Sequence, residues 1–221
     1  MPDIFDEIEQ DLRAERAQQF LKRYGTLLIA AALMVVGITA GWQVWRWWES
    51  KRDQQAASEY LAGMSQADSI PPGAPASERT AAIASLDKLV ASAPEGYRIL
   101  ALLRVAALKA DAGDKEGAEA AWNQVAANTS ADPALRDLAS LLWAQHQIDH
   151  GDPALVEARL KPLESPDNPW HTLAQESQAL LDVREGHTDQ AREALRHLAQ
   201  DVTASNDLRA RASALLSRIG G

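Results

Sequence analysis

The sequence predicts an all-α protein in which a single N-terminal transmembrane helix is followed by an α-solenoid of about three to four degenerate helical pairs. Three observations carry this reading. Residues 25–45, GTLLIAAALMVVGITAGWQVW, contain no ionisable side chain. From residue 79 onward Ala and Leu dominate, with no strand-like alternation and no β-branched runs. Gly113, Gly151, Gly186 and Gly220 recur at separations of 38, 35 and 34 residues, the interval of stacked helical pairs.

The apolar stretch comes first. At about 1.5 Å of rise per residue it makes roughly 31 Å of helix, the thickness of a bilayer's hydrocarbon core. Leu27, Leu28, Ile29, Leu33, Val35, Val36, Ile38 and Val44 each favour insertion by roughly 0.3–0.6 kcal/mol, and Gly25, Gly37, Gly41, Thr26 and Thr39 subtract from that sum. Lys22, Arg23 and Tyr24 close one end, and Trp42, Trp45, Trp47 and Trp48 with Arg46 close the other, so both ends carry side chains suited to the headgroup region. A cleaved signal peptide would have a short basic start and only about 7–15 apolar residues. Here 24 residues precede the stretch and include six acids, which favours an anchor over residues 25–48.

Four basic residues before the span (Arg13, Arg16, Lys22, Arg23) outnumber three after it (Arg46, Lys51, Arg52), a weak preference for a cytoplasmic N-terminus. In the amphipathic tail, residues 1–24, residues 3–23 read as a helix, with Ile4, Ile8 and Leu12 on one stripe and Phe5 and Phe20 close to it. Its acidity argues against anionic lipid as the tail's main attraction.

Tail and anchor hold five basic and six acidic residues, so the remaining 173 carry −8 of the formal −9. That length suffices for one domain with a sizeable core, and that charge disfavours nucleic acid as a partner. The chain has no cysteine, which excludes disulfides, thiolate metal sites and Cys nucleophiles.

Residues 49–68 contain no proline and read as a juxtamembrane stalk helix continuous with the anchor; residues 25–67 in one helix would extend roughly 64 Å. Residues 69–78, SIPPGAPASE, hold three prolines and a glycine and form a loop. Residues 79–221 are the repeat domain. In each unit a glycine is expected to end the first helix in a left-handed cap. Gly113 is followed by Ala118 and Trp122 at offsets of five and nine, Gly186 by Ala191 and Leu195, and Gly151 by Val156 and Leu160, a poorer fit with extra length near Pro162 and Pro166. A small residue and then a large apolar one at these offsets resembles the tetratricopeptide pattern. Ala82, Leu86 and Pro94 look like the second helix of an earlier unit, whose first helix would be residues 54–67. Leu208, Ala212, Leu215 and Leu216 form the apolar stripe of a terminal capping helix.

In tetratricopeptide solenoids the first helices line a concave groove. Register carried over from the pattern puts Leu100, Leu103, Ala107 and Asp111 there from one unit, Leu138, Leu141, Gln145 and Asp149 from the next, and Leu173, Glu176, Leu180 and Arg184 from the last. The carboxylate-clamp type needs Lys, Arg and Asn at such places, where Leu103 and Ala107 stand. This groove is therefore expected to take an extended hydrophobic segment of another protein rather than a charged tail. The leucines could equally be covered by the capping helix or the stalk.

Catalytic chemistry is not expected, and neither is a cofactor. His146 and His150 have i, i+4 spacing, but Gln147 stands where a zincin has Glu, and Asp149 does not complete a ligand set. His171, His187 and His197 have no recognisable partner. There is no phosphate loop, nucleophile elbow or carboxylate pair.

The layout as a whole resembles the ancillary SecYEG translocon subunit family of YfgM type: an acidic tail opening Asp3-Ile4-Phe5, a Lys22-Arg23-Tyr24-Gly25 junction, a lone span ending Gly41-Trp42, and repeats from Tyr97 through Gly113 to Trp122 and from Trp170 through Gly186 to Ala194. The resemblance implies a single-pass bacterial inner-membrane protein with a cytoplasmic tail and a periplasmic repeat domain. It also implies translocon subunits and a membrane-anchored periplasmic chaperone as partners, with newly exported, unfolded chains as clients. The alternative is a scaffold for envelope assembly or cell division, using the same repeats on a folded partner.

Overall fold

Long runs of Ala, Leu, Glu, Gln, Lys and Arg broken by Gly, Pro and Asp dictate helices with defined ends, and the structure, a computed structural model, is built that way. It describes the backbone of residues 3–71 and 75–220, and the side chains of these residues except 3–21, 25, 28 and 76. Among the described residues there are nine α-helices, one 3₁₀ turn and no strand: α1 (Asp3–Asp68), α2 (Ala76–Ser92), α3 (Glu95–Asp111), α4 (Lys115–Ala126), α5 (Pro133–Gln147), α6 (Pro153–Leu160), the 3₁₀ turn Lys161–Glu164, α7 (His171–Glu185), α8 (Thr188–Gln200) and α9 (Asn206–Arg218). The expected stripe of Ile4, Phe5, Ile8, Leu12 and Phe20 lies outside the residues whose side chains are described, as do Pro72, Gly73 and Ala74 of the proline-rich loop.

The chain forms two compact units, Met1–Gln54 and Gln55–Gly221. In the first, α1 is long and apolar enough to cross a membrane. Its apolar side chains have no protein partner: Leu27, Ile29, Leu33, Met34, Val35, Val36, Ile38 and Val44 are each 60–67% exposed. Thr39 hides its hydroxyl by donating to the carbonyls of Val35 and Val36, at 2.9 and 3.0 Å, which removes the need for water.

The second unit opens at Gln55, so residues 55–68 of the segment read as a stalk belong to it. They supply the first helix of the first pair: Ala67 packs with Ala82, Leu86, Val105 and Leu108, and Ala56 with Leu89 and Ala101. Four pairs follow one another: residues 55–68 with α2, α3 with α4, α5 with α6, and α7 with α8, and α9 packs on the last.

The interior repeats with the chain. Ala101, Ala139 and Ala174 occupy one inward position of successive first helices, and Ala106, Ala144 and Ala179 another; none has exposed surface. In the second helices the sets are Ala82, Ala118, Val156 and Ala191, then Leu86, Trp122, Leu160 and Leu195, then Leu89, Val125, Leu163 and Leu198, all at most 2% exposed. Small residues recur where two backbones approach and large ones where a gap must be filled, the requirement of close packing. The weak middle unit obeys the same register, with Val156 and Leu160 where the other units place Ala and Trp or Leu. Its second helix lasts only eight residues, because Pro162 has no N–H to donate and the chain continues as a 3₁₀ turn.

Helix ends follow local chemistry. Gly113 (φ 83°) and Gly186 (φ 82°) take left-handed caps. In each the residue after the glycine donates to the carbonyl five residues earlier, Asp114 N–H to the Lys109 carbonyl at 2.9 Å and His187 N–H to that of Asp182 at 2.8 Å. Gly151 departs from this expectation and has no positive φ. It is required for space instead: a Cβ there would lie 2.6–2.9 Å from Gln147 atoms, including the Gln147 carbonyl oxygen. Asp132 and Asp152, each followed by proline, cap α5 and α6 by accepting the N–H groups of Ala134 and Ala154.

Candidate protein-binding surface

The first helices α3, α5 and α7 carry the residues expected to form a groove, and burial divides those residues into three groups. Leu100, Leu103, Ala107, Leu138, Leu173 and Leu180 are half-buried, and Asp111 and Asp149 are exposed. Of the half-buried set, Leu103, Leu173 and Leu180 pack against the main core cluster, which leaves Leu100, Ala107 and Leu138 as the apolar positions most available to a partner. Leu141 is a correction: it is 1% exposed and belongs to the core. Leu141 stands in register with Leu103 and Glu176, as Ala139 does with Ala101 and Ala174, so α5 keeps the alignment of its neighbours and Leu141 is covered by the helices packed against it.

Glu176, Gln145 and Arg184 are corrections of another kind. Each holds a neighbouring helix pair rather than a groove. The Glu176 side chain is only 8% exposed and accepts two hydrogen bonds from Arg211 of α9, from Nε at 2.9 Å and from Nη2 at 2.7 Å. Gln145 donates to the Ser177 hydroxyl at 3.2 Å. Arg184 donates to the carbonyls of Ile148 and Gly151, both at 2.7 Å, and so satisfies acceptors beyond the end of α5.

These contacts belong to a series. Arg104 pairs with Asp68, Glu95 accepts from Asn128, Asn123 accepts from Arg159, Asp137 accepts from Asn168, and the Trp170 indole N–H donates to the Ala134 carbonyl at 2.8 Å. Their sequence separations run from 31 to 36, one structural repeat each. Read one helix at a time, the sequence does not reveal these pairings. The signal that could have found them is the recurrence of complementary donors and acceptors at the repeat interval.

At the C-terminal edge of the first pair a hollow of about 530 Å³ is lined by Asp68, Ile70, Pro71, Arg79, Arg104 and Asp111. Its two arginines and two carboxylates balance, and Arg104 is already committed to Asp68. Burial raises the Tyr60 hydroxyl above its ordinary value, with Arg104 opposing and Asp68 adding to the shift.

The histidines separate. His146 lies edge-on against Trp122, ring centroids 4.6 Å apart, and His150 stands beyond the end of α5, so the helical i, i+4 spacing does not hold. Among the described residues no three His, Asp or Glu side chains are placed to hold a metal ion.

No curated protein and no solved structure matches the chain. A family model described as the tetratricopeptide repeat-like domain matches residues 18–217, nearly the whole length. With its paired helices and recurring alanine positions, the chain belongs to the tetratricopeptide repeat-like domain family, whose fold is a protein-interaction module.

Proposed function

We propose that this protein is a membrane-anchored interaction module that holds extended apolar segments of newly exported chains beside the Sec translocon, with its tail in the cytoplasm and its repeats in the periplasm of a bacterial inner membrane. The observation that carries the binding reading is the row of half-buried apolar side chains on consecutive first helices, Leu100 and Ala107 on α3 and Leu138 on α5. None carries a charge that would select a charged terminus, and burying apolar surface there supplies affinity without sequence-specific pairing. The anchor reading draws on residues 25–45, whose described apolar side chains face outward from α1. Association with translocon subunits and a membrane-anchored periplasmic chaperone rests on the sequence resemblance.

The binding reading is tested with the full-length protein in nanodiscs and a urea-unfolded secretory precursor whose aggregation is followed by light scattering. Wild type is expected to suppress aggregation. A Leu100→Asp/Leu138→Asp variant is expected to need at least roughly tenfold more protein for the same effect, since two leucine contacts are worth about 1.5–3 kcal/mol each. Equal suppression by a variant of unchanged melting temperature would overturn it.

A further inference from the structure

At the C-terminal end of the apolar stretch and just beyond it, α1 gathers polar and basic groups on one face. Gln43, Arg46, Trp47, Ser50 and Lys51 stand at i, i+3, i+4, i+7 and i+8, and a shallow hollow of about 600 Å³ is lined by Gln43, Val44, Arg46, Trp47 and Ser50. Two aromatic stacks hold the cations along this face. The Arg46 guanidinium lies over the Trp42 ring, 5.0 Å from its centroid, and the Lys51 ammonium lies over the Trp47 ring at 4.3 Å. A cation held over an indole face through its charge does not spend its N–H donors on a hydrogen-bond acceptor there. Among the described residues neither cation is paired with a carboxylate. Glu49, the nearest acid, falls about 130° around the helix from the centre of the face, and Asp53 lies beyond Lys51.

All five side chains are exposed, with Trp47 56% exposed. An indole anchored at this depth, two unpaired cations and two neutral donors suit a phosphodiester at the boundary of the hydrocarbon region. A zwitterionic headgroup brings its own ammonium to that phosphate and competes with Arg46 and Lys51. An anionic headgroup does not, so two cations favour it.

We propose that the Gln43–Arg46–Trp47–Ser50–Lys51 face binds the phosphate of an anionic phospholipid in the leaflet at the C-terminal end of the span. This rests on the reading that residues 25–45 cross the bilayer. Held there, the lipid fixes the depth and rotation of α1 at the point where the chain leaves the membrane, a role that the apolar side chains of the stretch, exposed all round the helix, do not fill.

The test is native mass spectrometry of the full-length protein released from micelles doped with phosphatidylglycerol or with phosphatidylcholine of the same acyl chains. Wild type is expected to retain phosphatidylglycerol preferentially. The Arg46→Gln/Lys51→Gln variant is expected to weaken that retention by about thirtyfold, roughly fivefold for each cation. Equal retention of the two lipids by wild type, or an undiminished preference in the variant, would overturn the proposal. Displacement of the lipid by millimolar glycerol phosphate would also overturn it, by making this a site for free phosphate. Both proteins are first extracted with carbonate. A wild type that leaves the membrane at that step refutes the span itself, whereas retention without lipid preference refutes only the lipid site.

Discussion

Arg211 of the last helix grips Glu176 of the preceding pair through two parallel hydrogen bonds, 2.9 and 2.7 Å long, with the glutamate side chain 8% exposed and the arginine 54% exposed. The pairing with Glu176 also raises the Arg211 guanidinium above its ordinary value. A capping helix in a solenoid contacts only its neighbour, so this pair closes the C-terminal end of the stack. Arg211→Ala leaves a buried carboxylate without its cation and is expected to cost about 1–3 kcal/mol. Arg211→Lys is expected to recover only part of that, because an ammonium cannot reproduce the two-pronged geometry. Hydrogen exchange checks this locally: protection should fall in α8 and α9 and hold in α3 and α4.

Gly63 leaves room for the Leu86 side chain in the first pair. A Cβ there would stand 2.6 Å from Leu86 Cδ2 and 3.2 Å from its Cγ, and Leu86 is 1% exposed. Gly63→Val is expected to destabilise the first pair by about 1–3 kcal/mol through overpacking, even though valine is the better helix former. Denaturant unfolding measures the loss, and the combination with Leu86→Ala, which frees the space, should lose less than the two single changes added together.

Two carboxylates give opposite pH responses. Burial raises Glu164 above its ordinary value, Asp182 and Glu157 adding and Lys161 opposing. Its native state therefore holds the proton more tightly than the unfolded chain. The resulting stabilisation is complete below the ordinary glutamate range and is lost as pH rises through the raised native value. Glu164→Gln is expected to abolish this dependence and to melt higher than wild type at neutral pH. It also brings an amide donor to the two hollows that Glu164 shares with Gln178, whose Oε1 is buried without a partner. Asp201 behaves in reverse: the hydroxyl and N–H of Thr203, each 2.7 Å away, hold it below its ordinary value. Its contribution is present above the ordinary aspartate range and is lost as pH falls through the lowered native value. Melting curves of Glu164→Gln and Asp201→Asn across that acid range separate the two.

Leu33 is 67% exposed near the middle of the apolar stretch. Leu33→Asp is expected to cost about 3 kcal/mol of insertion and to release much of the protein from the carbonate-resistant fraction. Since the chain has no cysteine, single cysteines at Lys22 and Ser213 report sidedness with an impermeant maleimide in intact spheroplasts. Labelling is expected at 213 and not at 22.

The helical class, the apolar span and the inward positions of the second helices were legible because each rests on a local period: an uncharged run for the span, and small and large residues at fixed offsets for the pairs. Leu141, Glu176 and Arg184 were misread although the register held, since Ala101, Ala139 and Ala174 keep the intervals of Gly113, Gly151 and Gly186; a register does not show which of its positions a neighbouring helix covers. In the middle unit three residues separate the end of α5 from Gly151, and that glycine answers to the bulk of Gln147 rather than to a left-handed backbone. Glu176 and Arg184 looked like groove charges because their partners lie a full repeat away, and a single helix face does not reveal that a neighbour has claimed them. The first helix of the first pair was recognisable through its partner, whose Ala82, Leu86 and Pro94 repeat the second-helix pattern. That the compact unit begins at Gln55 follows from packing, which no composition break marks.

The most direct measurement places a photo-crosslinking amino acid at Leu138, and in a second strain at Trp45, in the full-length protein and identifies the adducts in intact cells. Leu138 is half-buried and available, unlike the core residue Leu141. Many different exported chains at Leu138 and translocon subunits at Trp45 are expected if the module receives newly exported proteins. A single folded partner at Leu138, with no translocon adduct at Trp45, would contradict that and make the protein an envelope scaffold.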